Sequence, residues 1–303
     1  NMEEIKIENE KLKAELKIFK IRALKEKIVL TGVALLIIAE IILLFSFFKN
    51  NFSTHIKPSK PYVAVININK TITVDYINSI TKKMDSLLKD KNCKEFLLIF
   101  NTPGGSPSAS DEFNAYLKYI NKKKKVNVYV ESMAASGGYY IISAIKPIVA
   151  NKNAVVGSIG VIMPHFVLKK LADKIGVEED SLAIGKYKQP VSWFRKFNEK
   201  DKEYLKKHLL LPTYENFLKT VARDRNISIK TLKKYADGKI YVASIVKGIL
   251  VDEISTLSAF KEKIKQKHKN IQFVDISLEK RKVPFFNIKV SSDIGEALKE
   301  IVK

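Results

Sequence analysis

Two stretches of this chain end in residues suited to acyl-transfer chemistry. Glu131-Ser132-Met133-Ala134-Ala135-Ser136-Gly137-Gly138-Tyr139-Tyr140 follows the apolar run Val126–Val130, and Asn101-Thr102-Pro103-Gly104-Gly105 follows Phe96–Phe100. In each, a strand-like run stops at small residues and a helix-like segment comes next. Small residues at a strand end let a second backbone approach and leave amide hydrogens free at the mouth of the following helix. A serine there, with little bulk around it, is where a nucleophile can meet a carbonyl. The same amides can hold the oxyanion that results. Either stretch alone also reads as an ordinary glycine-rich βα turn. Two in successive βα units, the second carrying Ser136, favour acyl transfer.

A serine hydroxyl is a weak nucleophile until a base takes its proton. Lysine serves only when neutral, which requires burial away from other charges. Lys186 and Lys188 follow the apolar run Ser181-Leu182-Ala183-Ile184. In an extended segment residues i and i+2 point to one side, so direction does not separate the pair. His165, 29 residues beyond Ser136, is the competing base, while His55, His208 and His268 sit in polar or lysine-rich surroundings. Ser158, in Gly157-Ser158-Ile159-Gly160, is a second polar residue in an apolar turn and reads either as part of the site or as a serine satisfying backbone groups. No histidines are paired at helical spacing and there is no CxxC, so no metal or cofactor is expected.

The elements that must position these groups alternate. Strand-like Tyr62–Ile66 precedes helix-like Val74–Lys89. Phe96–Phe100, a helix near Ser108–Asn121, Val126–Val130 and the apolar helix Gly138–Ala144 follow. That order predicts an α/β fold with a mainly parallel sheet covered on both faces. Short strands are expected at Ile148–Ala150, Val155–Val156 and Ser181–Ile184, and helices at Phe166–Ile175, Asn198–Arg225 and Ser228–Ala236, the last two as a cap or rim. Beyond Ile254 the pattern gives a basic helix over Thr256–Lys269, a strand over Ile271–Ile276 and the apolar Val283-Pro284-Phe285-Phe286.

Ahead of these lies Ile28–Phe48, apolar except for Glu40. At about 1.5 Å per residue it spans roughly 30 Å, the hydrocarbon thickness of a bilayer. The following Phe47-Phe48-Lys49-Asn50-Asn51-Phe52 is a poor cleavage context, so the run reads as one uncleaved transmembrane helix. Lys20, Arg22, Lys25 and Lys27 flank it on one side and Lys49 on the other, which puts residues 1–27 in the cytoplasm and the rest outside. Glu40 suggests a helix–helix contact or protonation. Apolar positions at Ile5, Leu12, Leu16, Phe19 and Ala23 form a short heptad-like seam.

The formal net charge is +22, from 54 basic and 32 acidic residues. Little of it is arginine and no nucleic-acid reader motif is present, so anionic lipid is the better partner than nucleic acid. The single cysteine, Cys93, excludes an intrachain disulfide.

Pro103-Gly104-Gly105, Met133–Tyr140 and Gly157-Ser158-Ile159-Gly160-Val161 resemble signal peptide peptidase A, a family of membrane-anchored serine proteases with a Ser-Lys dyad on a Clp-protease/crotonase-like fold. Gly185-Lys186-Tyr187-Lys188 with Ser192 and Arg195, Tyr235–Tyr241 and Leu250-Val251-Asp252-Glu253 extend the likeness from about Tyr62 to Ile254. Trp193 stands where many relatives carry proline. The resemblance implies Ser136 as nucleophile and Lys188 as general base, with Ser158 orienting the lysine and the amides of Gly105 and Gly137 forming the oxyanion hole. It implies a serine endopeptidase of hydrophobic peptides, such as cleaved signal peptides, on the outer side of a bacterial cytoplasmic membrane. The expected organisation is a charged helix at 1–27, the anchor at 28–48, a tether at 49–61, the peptidase domain at 62–254 and a basic extension at 255–303. Some relatives are tandem duplications with the dyad split between halves. This chain carries one copy, so a ring- or dome-shaped homo-oligomer is expected. The stomatin-associated membrane protease shares both glycine turns and the dyad. A crotonase-like acyl-CoA enzyme shares the paired amides, but an anchor and an external site argue against it. A catalytically silent scaffold would have lost Ser136 or Lys188, and both are present.

Overall fold

The structure, a computed structural model, describes residues 58–277 continuously, preceded by 16, 17, 19–22, 24, 25, 27 and 30–44. Ile5, Leu12 and Ala23 of the heptad-like seam, residues 49–57 of the expected tether at 49–61, and Val283–Phe286 lie outside the described residues. The chain divides into two compact units, residues 1–57 and 58–303. In the first, residues 30–44 are helical, with apolar side chains exposed on all sides. Among the described residues no helix is long and apolar enough to cross a membrane. Residues 28, 29 and 45–48 of the expected anchor are outside the described set.

The second unit is the expected α/β domain. Its order is β1 (Tyr62–Ile68), α1 (Val74–Leu88), β2 (Cys93–Thr102), α2 (Pro107–Lys123), β3 (Val126–Ala135), α3 (Gly137–Ile142), β4 (Ile148–Ala150), β5 (Val155–Gly157), α4 (Lys169–Lys174), α5 (Glu199–Leu205), α6 (Leu211–Arg225), α7 (Ile229–Lys233), β6 (Ile240–Val242), β7 (Glu253–Ile254), α8 (Leu257–Lys265) and β8 (Gln272–Asp275). One sheet runs β6-β5-β3-β2-β1-β8, with β4 also on β3 and β7 on β4. All pairings are parallel except β5 with β6. Residues 255–277, read above as the start of an extension, continue this sheet: β8 pairs with β1 and covers its edge.

Strand side chains alternate between the two faces. Ala64, Ile66, Phe96, Leu98, Phe100, Val128 and Val130 join the larger core with α1, α2, α3 and α6. Val63, Val65, Leu97, Ile99 and Tyr129 face Phe260 and Ile264 of α8 on the other side. Among the described residues every buried apolar side chain falls between Tyr62 and Ile271, so the domain has a core of its own without residues 1–57.

Helix starts follow local chemistry. Thr73 and Ser106 accept from the amides of Tyr76 and Ala109, and Pro107 occupies the first turn of α2. The helix expected at 198–225 forms with a π-helical turn, Lys206–Leu210, between α5 and α6. Pro212 has no amide to return to His208, so the widened turn falls where the ordinary ladder cannot continue.

One expected element is absent. Residues 181–184 form no strand, and Leu182 and Ile184 are fully exposed. Four residues between acidic neighbours and Gly185 find no strand to pair with, so their apolar character marks an open surface instead of the core. The expected helix at 166–175 shrinks to the six residues of α4.

Candidate active site

Ser136 stands at the join of β3 and α3. Between Phe100↔Val130 and Asn101↔Met133 the β2–β3 register jumps, leaving Glu131 and Ser132 outside the ladder. The far edge of β3 changes partner at the same point, from β4 to β5. The strand end is thereby turned towards the Gly157-Ser158 loop, and the Ser136 amide donates to Gly157 O at 2.8 Å. Ser136 has φ 51° and ψ −122°, a strained conformation for a residue with a side chain. Ser158 is also left-handed, at φ 53°.

The helix beneath Ser136 is held from below. Tyr139 Oη donates to Leu250 O at 2.9 Å. Tyr140 Oη bonds Asp111 Oδ1 at 2.5 Å and Thr220 Oγ1 at 2.9 Å. Burial, then the bond to Asp111, pushes the Tyr140 phenol up to about 12, so it remains a neutral donor. Asn114 caps the Tyr140 carbonyl at 2.8 Å and also reaches Asp224.

The two glycine turns meet above this helix. A Cβ on Gly104 would lie 2.7 Å from Gly137 N, and one on Gly137 would lie 3.3 Å from Gly105 N. Only bare backbones pack this closely. Among the described residues neither the Gly105 nor the Gly137 amide has an acceptor, and neither the Ser136 nor the Ser158 hydroxyl has a partner. Two free amides beside a half-buried serine form a donor pair suited to an oxyanion.

Two cavities converge on Ser136. The larger, about 610 Å³, is lined by Ser136, Ser158, Ile159, Lys206, Tyr214 and Asp237 among others. The smaller, about 110 Å³, is lined by Gly105, Ser110, Ser136, Gly137, Tyr140 and Phe217 among others. The structure therefore brings together four of the five expected site residues. Lys188 is exposed in a turn closed by its amide on Gly185 O, at 3.0 Å, and lines neither cavity. Lys186 lies 5.2 Å over the Tyr187 ring. The lysine segment is held by Arg195, which bonds Asp201 and Gln189 O at 2.6 Å each, and by Glu179 bonded to Ser192 and Gln189. The bond from Ser192 holds the Glu179 carboxyl below its ordinary range. His165 is tied to Ser192 O at 2.8 Å and packs 4.1 Å from the Phe197 ring, outside both cavities.

Lys206, Tyr214 and Asp237 reach the site without having been expected there. The π-helical turn rotates Lys206 and Leu210 onto the cavity, and ordinary helical spacing does not foretell that. Asp237 is paired with Lys239 at 2.7 Å, which lowers its pKa. No group of metal-ligating side chains occurs among the described residues.

Residues 118–272 match the model of peptidase family S49, and residues 62–156 match that of Clp protease. A provisionally named protease of Methanocaldococcus jannaschii is 38% identical over 231 residues, covering 75% of this chain and 73% of the relative. A provisionally named signal peptide peptidase SppA of Enterococcus faecium is 33% identical, covering 57% of this chain and 50% of the relative. The chloroplast serine protease SPPA of Arabidopsis thaliana is 27% identical, covering 72% and 33%.

Proposed function

This chain belongs to peptidase family S49, the signal peptide peptidase A family, and is a serine peptidase; we propose that it is a membrane-anchored endopeptidase with Ser136 as nucleophile and Lys188 as base. The observation that carries this reading is the Ser136 turn, with its left-handed serine and the unpartnered amides of Gly105 and Gly137. Ser136 Oγ attacks the scissile carbonyl as the neutral Lys188 amine takes its proton, and the two amides hold the oxyanion. The ammonium then protonates the leaving nitrogen, and water attacks the acyl-enzyme by the same route. Ser158 orients the amine.

A lysine in water is a cation near neutral pH and no base. The exposed Lys188 therefore needs cover. Ile162, Phe166, Leu182, Ile184 and Trp193 expose apolar surface along the same part of the chain. In our reading a second copy covers that surface, and Lys188 of one copy completes Ser136 of the next. The substrates are hydrophobic peptides of the signal-peptide class, as the name of the Enterococcus relative suggests. The apolar run Ile28–Phe48 anchors the chain, with its basic flank inside and the peptidase domain outside.

The test is hydrolysis of a synthetic signal peptide by the full chain in detergent. Ser136→Ala and Lys188→Ala should each abolish it without loss of fold, while His165→Ala and Lys186→Ala lose little. The rate should climb into the alkaline range, since the amine must first lose its proton. A rate governed by a group titrating near about 6.5 and abolished by His165→Ala would transfer the base role to histidine. Retained hydrolysis in Ser136→Ala would overturn the mechanism. For topology, protease added to intact spheroplasts should reach the domain beyond residue 58; protection until lysis would reverse the orientation.

A further inference from the structure

In a parallel sheet all strands begin at one end, and here that end is basic. The registers Tyr62↔Cys93 and Tyr62↔Gln272 set the entries to β1, β2 and β8 at one level, and Val126, opposite Phe96 and so level with Ala64, opens β3 at the same end slightly further along. Lys60 precedes β1, and Lys89 and Lys91 precede β2, all exposed. Lys122 and Lys123 end α2 just before β3, and Lys267 and Lys269 lead into β8, again all exposed. The connections leaving β1, β2 and β3, on the Ser136 side, carry one lysine between them, Lys70.

Helix C-termini attract cations, which accounts for Lys122 and Lys123. It does not account for Lys60, which follows no helix of the domain, or for Lys91 and Lys269, which lie beyond the last helical turns. The acids at this end are engaged internally. Asp90 accepts from Tyr62 Oη and the Asn92 amide at 2.9 Å each. Glu95 is buried, bonded to Asn127 at 2.6 Å and His268 at 2.7 Å. Tyr119 stands 52% exposed beside the lysines, with Lys123 Nζ 4.0 Å from its ring centroid.

We propose that this end of the sheet is a docking face for an anionic bilayer surface. The chain enters the domain here: Asn92 holds Pro58 O at 3.0 Å and the Tyr62 amide donates to Asn92 O at 2.8 Å. Only residues 49–57 separate this entry from the apolar run, a reach of about 30 Å when extended. The cations are all lysines, point charges suited to diffuse attraction by headgroups, where planar phosphate recognition calls for arginine. A tyrosine at the rim fits the polar–apolar boundary. The inference rests on the anchored reading above. It places Ser136 at the membrane-distal end of β3, about 30 Å away at strand rise, so peptides must leave the bilayer to be cut.

The experiment uses the fragment 58–303, which holds every buried apolar residue among the described ones and lacks the apolar run. It should sediment with phosphatidylcholine vesicles containing phosphatidylglycerol, be released by about 0.5 M salt, and ignore pure phosphatidylcholine. Changing Lys89, Lys91, Lys267 and Lys269 to Gln should weaken binding about tenfold or more. The same change at Lys70, Lys152, Lys219 and Lys234, exposed lysines away from this end, should weaken it far less. Equal losses in the two variants, or binding to neutral vesicles, would overturn the proposal. So would preference for duplex DNA through the same lysines with no vesicle binding. Resistance of the full chain to alkaline carbonate extraction tests the anchor separately: extraction there would sink the anchored reading, and absent vesicle binding would sink only this face.

Discussion

The amide of Ser136 donates to the carbonyl of Gly157 at 2.8 Å, which joins the turn carrying the proposed nucleophile to the turn carrying Ser158. Gly157 takes φ +97°, and a Cβ there would stand 3.1 Å from Lys239 O and from Tyr241 Cδ2. Gly157→Ala should therefore cost about 1–3 kcal/mol in urea unfolding and lower kcat beyond what lost fold explains. Gly176→Ala, also left-handed but facing open space, should cost less and leave kcat unchanged. Equal activity losses in both would refute a special coupling at Gly157.

Gly137 has a different reason to lack a side chain. A Cβ there would lie 2.4 Å from Ser110 Oγ, 3.3 Å from Gly105 N and 3.5 Å from Ser110 Cβ, so the severe collision is with the hydroxyl. Ser110 Oγ donates to Ser106 O at 2.8 Å and does not swing away freely. Gly137→Ala should displace the amide and cut kcat by about 10²-fold or more, the usual loss for one oxyanion donor. Adding Ser110→Ala should restore much of it. Steady-state kinetics of the double variant decide the matter, since no recovery would mean the loss is not steric.

Stability should respond to acid through Asp252. Its carboxylate accepts from Arg225 Nη2 at 2.7 Å, Arg225 Nη1 at 2.9 Å and the Ile148 amide at 2.7 Å. Burial alone would raise its pKa, but the Arg225 bond and charge outweigh it, and the carboxyl sits below its ordinary value. A depressed acid stabilises the fold above the unfolded pKa of about 3.9, and that contribution fades as pH falls through the folded value. The urea midpoint should stay level above about pH 5 and drop below about 4. Asp252→Asn leaves the Arg225 guanidinium buried without its counterion, costs about 3 kcal/mol at neutral pH, and flattens the acid slope. An unchanged slope would exclude Asp252 as the titrating group.

The alternation of apolar runs and helical segments told the parallel sheet in advance, because a strand buried on both faces has no other composition. The Ser136 turn was legible for a similar reason: a side chain at Gly104, Gly105 or Gly137 would collide with a neighbouring residue, and glycine is the residue type that lets the turns approach this closely. Lys188 was not legible as it stands. Its preceding run Ser181–Ile184 is apolar like a strand, and composition does not distinguish surface awaiting a partner from core. Lys206 escaped notice because Pro212 widens the helix and shifts the phase of every residue before it. The chain's lysines were visible one by one, but their gathering at one end of the sheet needed the strand registers.

The incomplete site gives the sharpest prediction. If each Ser136 is served by Lys188 of a neighbouring copy, Ser136→Ala and Lys188→Ala chains are each inactive for opposite reasons. A Ser136→Ala copy still presents its lysine, and a Lys188→Ala copy still presents its serine. Co-expressed and purified through two different tags, the mixed assembly should recover up to about a quarter of wild-type kcat, since random mixing in a ring pairs an intact serine with an intact lysine at one junction in four. Separately purified variants combined without exchange should stay inactive. Light scattering of the fragment 58–303 should report a large homo-oligomer, and Leu182→Asp with Ile184→Asp should break it into smaller species that lose activity while keeping their circular dichroism. Full activity in a strict monomer would show that Lys188 swings onto Ser136 within one chain. No recovery from co-expressed variants in an intact oligomer would leave both halves of the dyad in the same copy.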